Sequence, residues 1–388
     1  MEPSFESSLF VIFVGAAMLA TITLYARQAM ILAYIVLGVL TGPWGLGLVT
    51  DSTLIGGISN VGIIFLLYLM GLDLPPQELW SILGKALATT LASSFVFFLT
   101  GWGVAGAFGF DTGEAALIGA ALMFSSTIIG VKLVPTTTLH HRHTGQMIVS
   151  VLLLQDLLAI IVLLVLQGAG KGGDLAMDVL WQLGALPVLL GIAWLLERYV
   201  LVRLITRFDQ IHEYIFLLAI AWCLGIAELA AVFGLSHEIG AFIAGVTLAS
   251  SPIAMFITEK LKPLRDFFLI IFFFSLGASF DPGSTAGTIV PALVLAAIAV
   301  VLKPFVFRKL FFHAGAKRGT SLEVGFRLGQ MSEFSLLIAA LALSSGVIGK
   351  EASLVIQSST LLTFVISSYI IVRWFPTPIG MSSRLRRD

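Results

Sequence analysis

The stretch QMIVSVLLLQDLLAIIVLLVLQ, residues 146–167, decides the fold. Apart from Asp156 near its middle, nothing from Gly145 to Gln167 is acidic or basic. As a helix the run is long enough to cross the ~30 Å hydrocarbon core of a bilayer. An ionised carboxylate at that depth costs at least about 2.5–3.5 kcal/mol on insertion scales, so such residues mark ion pathways and proton relays. Residues 146–167 are therefore expected to form a membrane helix built around one carboxylate.

Outward from this segment the same character continues. Of 388 residues 58% are hydrophobic and 11% charged, more apolar surface than a soluble core can bury. Apolar segments of spanning length occur at about thirteen places: 8–25, 29–49, 54–72, 83–109, 114–135, 145–167, 176–204, 213–233, 237–250, 264–280, 288–312, 321–345 and 351–375, the ninth being the shortest. The fold class expected is an all-α polytopic membrane protein of about 13 transmembrane helices. Glu2 and Glu6 precede the first segment, unlike the basic flank of a cleavable signal, so Leu9–Tyr25 is read as a retained helix. The loops are brief and polar, so residues 1–388 are expected to form one membrane domain with no soluble domain. The formal net charge is zero, and no nucleic-acid partner is expected. Cys223 is the single cysteine, which excludes an intrachain disulfide and reads as a small core residue.

Basic residues give the orientation. With thirteen spans, Arg27, Lys85, Lys132, Arg142, Arg198, Arg203, Arg207, Lys260, Lys262, Arg265, Arg308, Lys309, Lys317, Arg318, Arg327, Arg373, Arg384, Arg386 and Arg387 fall on one face, and only Lys171 and Lys350 on the other. Cytoplasmic loops collect Lys and Arg, so the N-terminus is expected outside and the C-terminus inside, in a cell (inner) membrane. Basic residues after Trp374 are placed to meet anionic lipid of the bilayer.

Two segments read poorly as continuous helices. ALMFSSTIIGVKLVP clusters Ser125, Ser126, Thr127 and Gly130 at mid-span, and VGFRLGQMSEFSLL carries Arg327, Gly329, Gln330, Ser332 and Glu333. Irregular backbone survives at membrane depth only where protein or a cavity satisfies it. Two such breaks half a chain apart are expected of inverted repeats around a central site, although small residues also serve tight helix packing. Lys303, in IAVVLKPFVF, is a second deep charge. It is expected to pair with Asp156 or Glu333, the alternative being a stem that snorkels past Pro304 to the interface. Glu333 is read as a structural partner for Lys303 or Arg327. His140, His141 and His143 are read as a solvated loop cluster.

Four ordered motifs carry a family resemblance: SSTIIGVKL (125–133) followed by LLLQDLLAI (152–160), LSHEIGAFIAGVTLASSP (235–252), IIFFFSLGASFD (270–281) and GFRLGQMSEFSLLIAALA (325–342). In these the chain resembles the membrane domain of the monovalent cation:proton antiporter-2 family. The resemblance implies a sodium/proton antiporter-like fold of inverted repeats with two crossing broken helices. It also implies a core bundle, about 83–167 and 288–375, and scaffold helices that form a homodimer, about 1–72 and 176–250. Asp156 matches the ion-binding aspartate and Lys303 the family's membrane lysine, while Ser126 and Thr127 fall at the first crossover. Gln155–Asp156, where many sodium-transporting relatives carry two acids or Asn-Asp, resembles the Kef-type potassium branch. Kef-type proteins continue into a nucleotide-binding regulatory domain. Here no glycine-rich fingerprint occurs and no cofactor is expected, so regulation of that kind would need a separate chain or a removed tail to supply it.

The function this implies is not enzymatic. It is secondary exchange of potassium for protons by alternating access, serving pH homeostasis, with Asp156 holding either the alkali cation or the proton. Gln155, Ser126 and Thr127 supply further oxygens, and Lys303, Glu333 and Arg327 compensate charge. Gln155 cannot ionise, so one-for-one electroneutral exchange is expected. A sodium/proton antiporter is the alternative on the same fold, and an organic-anion transporter is a further one. A potassium channel or efflux pore lacks a TVGYG-like filter here, and an aspartyl protease would need a second acid facing Asp156.

Overall fold

The computed structural model describes residues 5–26, 28–49, 52–72, 76–132, 143–169, 175–208, 210–249, 251, 253–280 and 287–377. The helices are α1 Phe5–Tyr25, α2 Met30–Thr41, α3 Ser52–Leu72, α4 Pro76–Ala107, α5 Thr112–Met123, α6 Thr127–Lys132, α7 His143–Ala169 and α8 Leu175–Leu196. A π-helical turn, Glu197–Leu201, and a last turn, Val202–Arg207, prolong α8. Then come α9 His212–Val232, α10 His237–Ala249, α11 Ala254–Ala278, α12 Ile289–His313, α13 Arg318–Arg327, α14 Glu333–Ser344 and α15 Lys350–Trp374. Helices keep their backbone hydrogen bonds internal, as lipid demands.

Every apolar segment found in the sequence falls on one of these helices or on a broken pair, α5–α6 or α13–α14. Among the described residues seven helices, α1, α4, α7, α8, α9, α12 and α15, are long and apolar enough to cross a membrane. The outward side chains agree, for Phe10, Phe95, Trp102, Leu217, Val290 and Phe305 are all exposed. In water such a surface would drive aggregation, whereas hydrocarbon requires it. Some boundaries move. The second segment ends its helix at Thr41 rather than residue 49, because Gly42, Pro43, Gly45 and Gly47 follow and Gly47 adopts φ +63. The tenth starts at Ala254 rather than 264, since the helix runs on through a charged turn, Glu259–Asp266, that hydropathy cannot see.

The chain forms two compact units, Met1–Ala16 with Tyr34–Ser81 and Leu164–Ser279, and Ala17–Ala33 with Ile82–Leu163 and Phe280–Asp388. In the first, helices meet backbone to backbone at glycines. A Cβ on Gly245 of α10 would lie 2.1 Å from the Tyr68 carbonyl oxygen of α3, and one on Gly277 of α11 would lie 2.1 Å from the Ile35 oxygen of α2. Lipid gives helices no hydrophobic reason to associate, so close packing of small residues supplies the attraction. Cys223 is buried in this core beside α10, as a small apolar filler should be. Gly245→Ala is expected to lower the thermal midpoint of the detergent-purified protein, by about 1–3 kcal/mol of overpacking. Gly225→Ala, whose added carbon would meet nothing within 4 Å, should not; equal midpoints for the two variants would contradict this account of the packing.

In the second unit α12 carries Pro304 within its length, and α13 comes close to it: a Cβ on Gly325 would fall 2.5 Å from the Pro304 carbonyl. Along α15 the residues Ser353, Gln357, Thr360, Thr363 and Ser367 are buried at three- and four-residue spacing, a polar stripe on one helical face. Its hydroxyls bond outward as well as back to their own helix, Ser359 Oγ reaching the Ala292 carbonyl at 3.2 Å.

Candidate functional site

Both broken helices stop for reasons visible in their residues. After Met123 the chain is extended at Phe124, φ −85 and ψ 148, and helix resumes at Thr127 with Ser126 Oγ accepting the Ile129 N–H at 3.2 Å. After Arg327 residues 328–332 are non-helical, and α14 opens on Ser332, which accepts the Phe334 N–H and shares a capping box with Ser335. Each break therefore ends on a serine that starts the next half-helix.

An interruption in the middle of a span frees carbonyls and N–H groups that lipid cannot satisfy, so each needs a named partner. The Met123 carbonyl takes Gln155 Nε2 at 2.9 Å, and the Ser125 N–H gives to Gln155 Oε1 at 3.0 Å. Phe124 and Gln330 carbonyls both take Lys303 Nζ, at 2.7 and 2.8 Å. Arg327 O receives Gln330 Nε2 at 2.9 Å, and the Met331 N–H donates to Thr363 Oγ1 at 3.0 Å. Hydroxyls tie one break to the other: Ser125 Oγ donates to Leu328 O at 2.8 Å, Ser335 Oγ to Ala121 O at 2.6 Å, and Thr127 Oγ1 to Glu333 Oε1 at 2.7 Å. The two broken helices thus cross and are stitched together. Gly130 belongs to this crossing, since a Cβ there would meet Leu152 at 3.3 Å and the Arg327 carbonyl at 3.5 Å.

Asp156 sits on α7 beside Gln155, the residue that bridges the first break, and is 2% exposed. Among the described residues its carboxylate makes no hydrogen bond and no ion pair, while the Glu333 carboxylate lies near enough to act on its charge. A buried carboxylate left without a partner has oxygens to spare for a proton or a cation. Thr127 and Ser126 stand at the start of α6, whose backbone N–H groups present the positive end of a short helix.

The charged groups pair differently from the sequence expectation. Lys303 is fully buried, yet no ion pair among the described residues includes it; its ammonium lies between two carbonyls and 5.3 Å from the Phe97 ring centroid. Two carbonyl dipoles freed by broken helices satisfy an ammonium without any acid, and the stem does not snorkel. Arg327 is paired not with Glu333 but with Glu323 one turn earlier, at 2.9 Å, and also donates to the Pro376 carbonyl at 2.7 Å. Glu333 instead accepts the Thr127 hydroxyl, with Ser332 Oγ at 3.5 Å. Gln155 is committed by both ends of its amide to the first break, so its first duty is to hold backbone. Glu323 escaped the sequence reading, although its four-residue offset from Arg327 was the available signal. His140 and His141 lie outside the described residues, as does the side chain of His143.

Two broken helices cross in a buried polar centre beside an unpaired carboxylate, the kind of place where discontinuous membrane helices gather groups that can meet an ion. Comparison with known proteins then gives the family. Residues 9–375 match the sodium/hydrogen exchanger transmembrane family, and the chain belongs to it. Over 354 residues, 87% of this chain, it is 32% identical to the glutathione-regulated potassium-efflux system protein KefC of Salmonella heidelberg. The KefC of Salmonella arizonae is 31% identical over 355 residues. The chain spans 55% of the length of these relatives. Among solved structures the sodium proton antiporter MjNhaP1 of Methanocaldococcus jannaschii superposes with a TM-score of 0.69, covering 94% of each chain at 16% identity. That likeness shows the sodium/proton antiporter fold.

Proposed function

We infer that this chain exchanges a monovalent cation, with potassium preferred, for a proton by alternating access. The observation that carries the inference is the buried, unpartnered carboxylate of Asp156 beside the crossed breaks. Proton and cation compete for it, because a carboxylate must be deprotonated to ligate a cation. Thr127, Ser126 and one remaining lone pair on Gln155 Oε1 are the further oxygens offered. Preference for potassium rests on the relatives named as potassium-efflux proteins and on glutamine, not a second acid, at position 155. Sodium remains the competing cation.

Charge counting favours electroneutral exchange. Arg327 is paired with Glu323 and Gln155 carries no charge, which leaves the Asp156 carboxylate to be neutralised once by either ion. The second compact unit holds every one of these residues and is taken as the moving core. The first is taken as scaffold and homodimer surface. The N-terminus is placed outside and the C-terminus in the cytoplasm of an inner-membrane protein, on the distribution of basic residues.

Proteoliposomes challenged with potassium, rubidium, sodium and lithium should show cation-driven proton flux, largest with potassium and unaffected by membrane voltage. Cation conductance without proton flux would instead mean a channel. In the same assay Gln155→Glu keeps the acceptor for the Ser125 N–H while adding a charge. It should make exchange voltage-sensitive, and unchanged voltage independence would remove residue 155 from the stoichiometry.

A further inference from the structure

Arg327 has a second connection that ion binding does not use. Its guanidinium is completely buried: Nε and Nη2 hold Glu323 of α13, and Nη2 also donates to the carbonyl of Pro376, beyond the end of α15. Phe375 lies against the same group, its ring centroid 5.9 Å from the guanidinium carbon. The neighbouring Phe326 packs on Trp374 and Phe375, both at 5.7 Å between centroids. The stretch leaving α15 is thus fastened to the first half of the second broken helix by one charged fork and three rings.

From there the connections run inward. The Arg327 carbonyl is held by Gln330 Nε2, which also lies 3.4 Å from the Ser126 carbonyl in the first break. Gln330 Oε1 accepts Ser367 of α15, and its backbone carbonyl is one of the two that hold Lys303. Hydrogen bonds at Pro376 and at the crossing are therefore joined through the covalent frames of Arg327 and Gln330, entirely within the second unit and without touching Asp156.

We propose that Arg327 is a positioning residue that couples the exit segment, Phe375–Thr377, to the second broken helix, so that this segment sets the rate of the conformational step while leaving ion affinity alone. Whatever engages the chain at that exit gains a handle on the crossing. Coupling of this kind requires a demonstrated effect at both ends. The proposal rests on the antiport reading, and its test is arranged so that the two can fail separately.

Arg327→Lys keeps the charge, but one ammonium cannot reproduce a planar fork that serves two acceptors. Phe375→Ala removes the ring on the other side of the contact, with Phe375→Leu in reserve should the alanine variant fail to fold. Each single variant is expected to lower the maximal exchange rate per folded chain about tenfold, with the half-saturating cation concentration and the pH profile shifted by less than about twofold. The double variant should match the worse single, because both act through one contact. Amide hydrogen exchange at residues 328–332 should quicken about tenfold in both singles, independently of any transport measurement. Unchanged rates per folded chain, effects that multiply in the double variant, or a half-saturating concentration that moves with the rate would each overturn the proposal. If the unsubstituted chain exchanges no ions, the antiport reading falls, and the coupling then stands or falls on whether hydrogen exchange at 328–332 quickens.

Discussion

Asp156→Asn is expected to stop cation/proton exchange, by about a hundredfold or more, in a protein that still folds. The substitution keeps the shape of the side chain and removes the one charge that the two ions share. Because the carboxylate has no hydrogen-bond or ion-pair partner among the described residues, its replacement strands no donor of a neighbouring group. The thermal midpoint should therefore hold, since no interaction of the folded state has been taken away. Stabilisation by added potassium, which requires binding to the folded state, should disappear with it. Full activity in this variant would mean that another carboxylate carries the ions, with Glu333 the first to examine because it is buried at the same crossing.

Lys303→Met should have the largest effect on stability. It deprives the carbonyls of Phe124 and Gln330 of their shared donor, and each buried acceptor left unmade costs about 1–3 kcal/mol. Thermal unfolding in detergent reads the loss, and exchange per folded chain should fall as the two breaks separate. Combining the variant with Asp156→Asn separates two physical pictures. If Lys303 were the counter-ion of Asp156, removing both charges would restore stability, as when a buried ion pair is replaced whole. With the ammonium held by carbonyls, the double variant should be as unstable as Lys303→Met alone, and recovery would restore the ion pair that the sequence suggested.

Which parts were legible in the sequence follows from what pattern can express. Spans were readable because hydrocarbon thickness imposes a run length, and the breaks because Ser125–Thr127 and Arg327–Glu333 interrupt apolar runs with groups that need partners. Asp156 was readable because a lone charge in residues 146–167 has no surface to escape to. The partners of the charges were not. Opposite sign suggested Lys303 with an acid, but the carbonyls of Phe124 and Gln330 carry no mark in the sequence, since any residue has a carbonyl and only the break frees it. Gln155 illustrates the same limit: its type is compatible with ligating a cation or bracing backbone, and only geometry shows both ends of the amide on the first break. Arg327 could be seen as buried, whereas its bond to Pro376, 49 residues onward, could not. The end of α2 at Thr41 was available from Gly42 and Pro43 but was masked by the apolar residues that follow.

The account depends on a proton leaving Asp156 when a cation arrives, and proton release by the purified protein measures this without a membrane. Potassium added to weakly buffered, detergent-solubilised protein should liberate up to about one proton per chain, and none from Asp156→Asn. Potassium binding with no proton released, or the same release from the Asn variant, would contradict it.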